Sequence, residues 1–157
     1  MSAHMIYDLV QLGSLVRYSD GTPRPPEHPP RDRAIWKENN GRGLLVRKMP
    51  ARHGGKSLLP ASFVLREGRL GLTDSVALVM HQTFSVGSRL TFEVMAPPAI
   101  GSVRILDRHG ELAELLHLAA DRASARLWLE THRCSGAVLD EITARRGPIW
   151  SCGACRY

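Results

Sequence analysis

Acidic side chains are missing from a long central stretch. Between Glu38 and Glu67 there is no Asp or Glu, while Arg42, Arg47, Lys48, Arg52, Lys56 and Arg66 all fall there. A surface with one sign of charge attracts polyanions. The chain also has no apolar run long enough to cross a bilayer, and its first residues, MSAHMIYDLV, lack the charged start, apolar stretch and cleavage site of a secretory signal. Those absences predict a cytoplasmic protein. Cysteine is scarce: Cys134, Cys152 and Cys155 are odd in number and late in the chain, which fits reduced thiols better than a disulfide framework. Only nine aromatics stand against ten Pro and fourteen Gly, a balance that predicts many short elements joined by turns and not a helical bundle.

What is present suits one folded domain. A chain of 157 residues, 43% hydrophobic and 23% charged, buries enough surface to need no disulfide staple. The net charge of +6 is uneven: residues 1–60 hold ten Lys or Arg against five Asp or Glu, and residues 61–157 hold eleven against ten. Solubility explains a charge of this size as well as a polyanion partner does.

Met5–Leu12 and Leu15–Tyr18 read as short strands interrupted by Gly13. SDGTPRPPEHPP, with five prolines between Pro23 and Pro30, reads as an extended loop, a connector or a docking segment for an aromatic groove. Pro30 can open a helix to about Asn39, stopped by Gly41, with Ala34, Ile35 and Trp36 inward. LLVRK is then a strand and Pro50–Pro60 a basic loop. SFVLREG, SVALVMHQTFSV, RLTFEVM and Ser102–Leu106 continue a meander to the DRHG turn. A hairpin partner to about Leu118 follows, then a helix capped by Asp121 that runs to His132 and buries Ala125, Trp128 and Leu129. Ala137–Thr143 reads as a last strand, with a short helix as the alternative. The expected fold is a single α+β domain over residues 1–147, mainly antiparallel sheet with one short and one longer helix, and a Cys-bearing tail at 148–157.

No catalytic signature is complete. HGGKS at His53–Ser57 resembles the end of a phosphate-binding loop, but the first-Gly position is Pro50 and Pro60 interrupts any helix starting at Lys56. None of the seven His has HExxH spacing, and no Ser sits in a GxSxG elbow. His81 and His117 lie in apolar strand contexts, where a partnered or half-exposed histidine is the commoner outcome. The acidic neighbours Asp140–Glu141 and Glu111/Glu114 need no more than surface solvation to explain them. Cys152 and Cys155 form a CxxC that, with Cys134 and His132, has the ligand count for structural zinc; an exposed tail with two incidental thiols is the plainer account. No cofactor is expected beyond that possible zinc.

Electrostatics is the signal that remains. Arg42, Arg47, Lys48, Arg52 and Lys56 form the expected contact set for nucleic acid, although alternation along LLVRK sends Arg47 and Lys48 to opposite faces. Trp36, Tyr18 and Phe63 offer stacking surfaces if they are not core. The strings RYSDGTPRPP, AIWKENNGRGLLVRK, SFVLREG and TFSVGS resemble those of small uncharacterised proteins carried on bacterial plasmids and integrative elements. The resemblance reaches about Thr143, implies a mobile-DNA setting and implies no catalytic residue. The expected function is non-enzymatic binding of nucleic acid; a protein-interaction module or inhibitor encoded by a mobile element is the alternative.

Overall fold

The computed structural model describes residues 1–25, 30–54, 57–71 and 77–143. In chain order the elements are α1 (Ala3–Leu9), β1 (Leu15–Ser19), α2 (Pro30–Asn39), β2 (Gly41–Met49), β3 (Arg52–Gly54), β4 (Ser57–Leu59), β5 (Ser62–Gly71), β6 (Ala77–Ser85), β7 (Thr91–Ala96), β8 (Val103–Leu106), β9 (Leu115–Ala119), α3 (Arg122–His132) and β10 (Val138–Glu141). Every strand pairing among the described residues is antiparallel, so the α+β fold with a mainly antiparallel sheet stands.

A five-stranded sheet has the order β6-β5-β2-β1-β7, a three-stranded sheet the order β10-β8-β9, and β3–β4 forms a separate hairpin. One face of the large sheet lies under α1. There Val16, Tyr18, Leu45, Phe63, Leu65, Phe84 and Phe92 meet Ala3, Ile6 and Val10 of the helical segment. The Phe63 ring stacks on Phe84 at 5.6 Å and meets Phe92 edge-on at 5.4 Å, the two arrangements in which aromatic pairs attract. The opposite face is partly covered by the small sheet, through Leu44, Val46 and Val64 against Leu106, Leu115, Leu118 and Val138. The outer face of the small sheet carries α3, with Val103, Ile105, Ala119 and Ala125 between them.

The expected strand over Met5–Leu12 is a helix over Ala3–Leu9. Ser2 caps it, accepting from the Met5 amide at 3.4 Å, and Ala3, Ile6 and Val10 recur at helical spacing along the buried side. The other helices lie where their start signals place them. α2 opens at Pro30, and α3 is capped by the Asp121 carboxylate, which accepts from the Ser124 amide at 2.7 Å. Inside α2 the expected packing fails in part. Trp36 is half-buried with its indole N–H on the Thr22 carbonyl at 3.1 Å, but Ile35 is 52% exposed, and the Ala34 side chain lies outside the described set.

The basic loop at Pro50–Pro60 contains the β3–β4 hairpin, with Ser57–Leu59 as a strand where a phosphate-binding loop would have begun a helix. The DRHG turn leads into β9, and Gly110 has φ +99, the left-handed position. The last element, β10, is a strand on β8. Gly41 permits the closest approach in the core: a Cβ there would sit 2.6 Å from the Tyr18 hydroxyl, which passes over the glycine from the neighbouring strand.

Candidate functional site

The five expected contact residues part company in the fold. Arg47 and Lys48 point to opposite faces, as strand alternation requires. Arg47 turns toward the small sheet, where its guanidinium meets Glu114 at 3.4 Å beside an isolated bridge between the two residues. Lys48 turns under α1, donating to the Tyr7 carbonyl with its ammonium 5.7 Å from the Tyr7 ring. Burial pushes the Lys48 pKa below the ordinary lysine value. Both cations therefore join elements to one another. Arg52 is exposed on β3, Arg42 is exposed at the start of β2, and the length of β2 separates them by roughly 20 Å. Lys56 lies outside the described residues.

A different set of cations does come together, and the register shows why. On β1, Val16 and Tyr18 point into the core beneath α1, so Arg17 points to the other face. Arg17 is directly opposite Arg42 on β2 and Glu93 on β7. Arg66 on β5 is opposite Leu44, two residues from Arg42, and pairs across to His81 on β6. Glu93, Arg17, Arg42, Arg66 and His81 thus form a row that crosses all five strands on one face. Diagonal neighbours such as Arg42 and Arg66 lie roughly 7–8 Å apart at the backbone, within reach of long side chains. The small sheet stops beside this row: the Arg66 guanidinium donates to the Leu116 carbonyl of β9 at 2.9 Å.

Charge is not balanced along the row. Arg17 bridges Glu93 at 2.7 Å, with both side chains about 60% exposed, so water screens the pair and another anion can displace the carboxylate. Among the described residues, Arg42 has no acidic partner. Two arginines directly opposite each other on adjacent strands repel, and an anion placed between them removes that repulsion. Of this row the expected contact set contains Arg42 alone and lacks Arg17, Arg66 and His81. The alternation in Leu15–Tyr18 marks Arg17 as outward, but only the strand register sets it beside Arg42.

Two other polar clusters serve the fold. The Tyr18 hydroxyl donates to Glu67 and lies 2.8 Å from the Gln82 side-chain oxygen, while the Gln82 amide donates to the Glu38 carbonyl at 2.8 Å. Burial, followed by the bond to Glu67, pushes the Tyr18 pKa above the ordinary phenol value, so the group stays protonated. Tyr18 and Phe63 are core residues at 1% and 0% exposure and offer no stacking surface. In the DGT turn, Asp20 accepts from the Thr22 hydroxyl at 2.6 Å, the Thr22 amide at 2.9 Å and the Asn40 amide at 2.9 Å, which brings its pKa down to about 2. A cleft of about 310 Å³ beside this turn is lined by Asp20, Asp32, Trp36 and Pro23, and its two acids repel phosphate.

The acidic neighbours do not converge: Glu114 faces Arg47, Asp140 bonds Arg104 at 2.6 Å, Glu141 lies 3.9 Å from Arg122, and Glu111 is exposed. His81 is exposed, and His117 stacks on Trp128 at 5.0 Å. Of the four zinc candidates, Cys152 and Cys155 lie outside the described residues. The Cys134 thiol donates to the His132 carbonyl at 3.4 Å, and the His132 ring is 2.9 Å from the Trp128 carbonyl. Among the described residues no group of three or more His, Cys, Asp or Glu is placed to hold a metal, and no helix is long and apolar enough to cross a membrane.

A family model described as uncharacterised conserved protein UCP036055 matches residues 1–146. The chain belongs to that family. The match takes in every described strand and helix and ends before the CxxC. No curated protein and no solved structure matches the chain.

Proposed function

We propose that the protein acts by binding nucleic acid, and that it does so across the arginine row of the large sheet. The observation that carries this reading is Arg42: exposed, without an acidic partner among the described residues, and directly opposite Arg17. Arg66 and His81 continue the row, and Arg52 on the hairpin supplies a more distant cation. These groups contact phosphates; none is placed in a pocket that reads a base edge, so the binding is governed by salt more than by sequence. The likeness of RYSDGTPRPP and its companion strings to proteins of plasmids and integrative elements supports mobile DNA as the setting. The exposed hairpin residues Leu58 and Leu59, at 63% and 44%, favour a second reading in which the hairpin docks on a protein.

The test is a fluorescence titration of single-stranded and duplex oligonucleotides at several salt concentrations. Arg17→Ala/Arg42→Ala is expected to weaken binding and to flatten the log–log salt slope by roughly 1.4 to 1.8, two phosphate contacts' worth. An affinity and slope equal to wild type overturn the proposal. A partner protein retained on the wild type in high salt, and lost on Leu58→Ser/Leu59→Ser, supports the second reading.

A further inference from the structure

The two edges of the large sheet are treated differently. At β7 the outer edge is engaged at Phe92: the Met1 ammonium donates to the Phe92 carbonyl at 2.7 Å, the Phe92 amide returns a bond to the Met1 carbonyl at 2.9 Å, and Pro97 and Pro98 follow the strand directly. At β6, among the described residues, no strand pairs with the outer edge. The nine residues of β6, Ala77–Ser85, include no Pro, Lys, Arg, Asp or Glu. Val79 and Met80 are 38% and 49% exposed and point to opposite faces. Edge strands left open are ordinarily short, charged or interrupted by proline, because their free N–H and C=O groups template pairing with another chain. Here none of those safeguards is present.

We infer that β6 pairs with β6 of a second copy of this chain, antiparallel and about a twofold axis, to join the two large sheets into one of ten strands. Three observations select a second copy as occupant. The strand is uncharged apart from His81, so pairing with itself brings no fixed like charges together. It is long enough to form a full ladder. Of the two outer strands of the large sheet, β6 alone has no backbone partner on its outer side among the described residues, so pairing of large sheets through it closes at two copies, whereas a filament of such sheets would need the β7 edge as well. Full overlap of the nine residues places His81 opposite His81, Met80 opposite Gln82 and Val79 opposite Thr83.

His81 ends the arginine row, so this axis sets the two rows end to end on one face of a continuous sheet. That consequence rests on the proposed function; the dimer itself does not. Light scattering coupled to size-exclusion chromatography, without nucleic acid and across a wide range of protein concentration, tests it. Wild type is expected at twice the 17.4 kDa of one chain. His81→Glu and His81→Lys, each placing like charges across the axis at an exposed position, are expected to run as monomers with unchanged circular dichroism, and their equimolar mixture as a dimer. A wild-type monomer at every concentration, a dimer that persists in both variants, or a mixture that stays monomeric overturns the inference. Arg17→Ala/Arg42→Ala is expected to dimerise like wild type, which separates failure of the dimer from failure of the binding face.

Discussion

Lys48 is a cation committed to the fold. Tyr7 lies in the last turn of α1, where backbone carbonyls have no partner within the helix, and the Lys48 ammonium satisfies one of them at the negative end of the helix dipole. Lys48→Ala is expected to lower stability by about 1 kcal/mol in urea unfolding, the value for a charged hydrogen bond discounted for partial exposure. Oligonucleotide affinity should not change. A loss of affinity with unchanged stability would return Lys48 to the interface. Asp20 provides a pH-dependent counterpart. Its carboxylate is held by Thr22 and Asn40, so its folded pKa, about 2, lies below the ordinary 3.8. A depressed carboxylate contributes stability that is complete above the unfolded pKa and disappears as pH falls through the folded one. The stability gap between wild type and Asp20→Asn should therefore be full at about pH 5 and close on approaching about pH 2, followed by thermal unfolding. A gap independent of pH would show that the charge of Asp20 plays no part.

Among the elements, the pair β1–β2 depends most on a single small residue. Tyr18 crosses Gly41 to reach Glu67 and Gln82, so one ring joins β1 to β5 and β6, and Gln82 extends the link to α2. Gly41→Ala forces a methyl within 2.6 Å of the hydroxyl and is expected to cost about 1–3 kcal/mol, the range for overpacking a core, read as a lowered Tm. A Tm at the wild-type value would mean that the Tyr18 ring shifts freely. The elements also show where local signals suffice. α2 and α3 begin at a proline and at an aspartate cap, and β5, β6 and β7 carry β-branched and aromatic residues. The expected meander nevertheless ends at β6: β7 crosses to pair with β1, and β8 belongs to the small sheet, because pairing partners far apart in the chain are chosen by the closed fold. The apolar residues of α1 are dense enough to resemble a strand, and the helical period becomes visible only when Ser2 and Ala3 are included as cap and first buried position. The β3–β4 hairpin has the sequence signature of a loop because its exposed strands are three residues each and have no buried face to leave a pattern.

At the scale of the whole molecule, the question is whether a charge of +6 acts as a sum or as a pattern. The large sheet places Arg17, Arg42, Arg66 and His81 in one row, and α3, with exposed Arg122 and Arg126, lies on the far side of the small sheet. Removing two charges from α3 lowers net charge as much as removing two from the row. Arg122→Ala/Arg126→Ala is therefore the matched control for the salt titration, and its slope should stay at the wild-type value while that of Arg17→Ala/Arg42→Ala falls. Equal slopes for the two double variants would reduce the effect to overall charge.

Turn residues, caps and the alternation of apolar side chains are encoded within a few positions of one another, and from them the antiparallel α+β character, two of the three helices among the described residues and most strands of the large sheet follow. The excess of positive charge is local in the same sense and was legible as composition. Which positive groups share a surface is not local. Arg17 and Arg42 are brought together by the β1–β2 register, Arg47 is turned to Glu114 by the second sheet, and Lys48 is drawn under a helix. Strand pairing joins residues far apart in the chain, and a shift of one position would send each side chain to the other face, so the candidate site exists only once the sheet has closed.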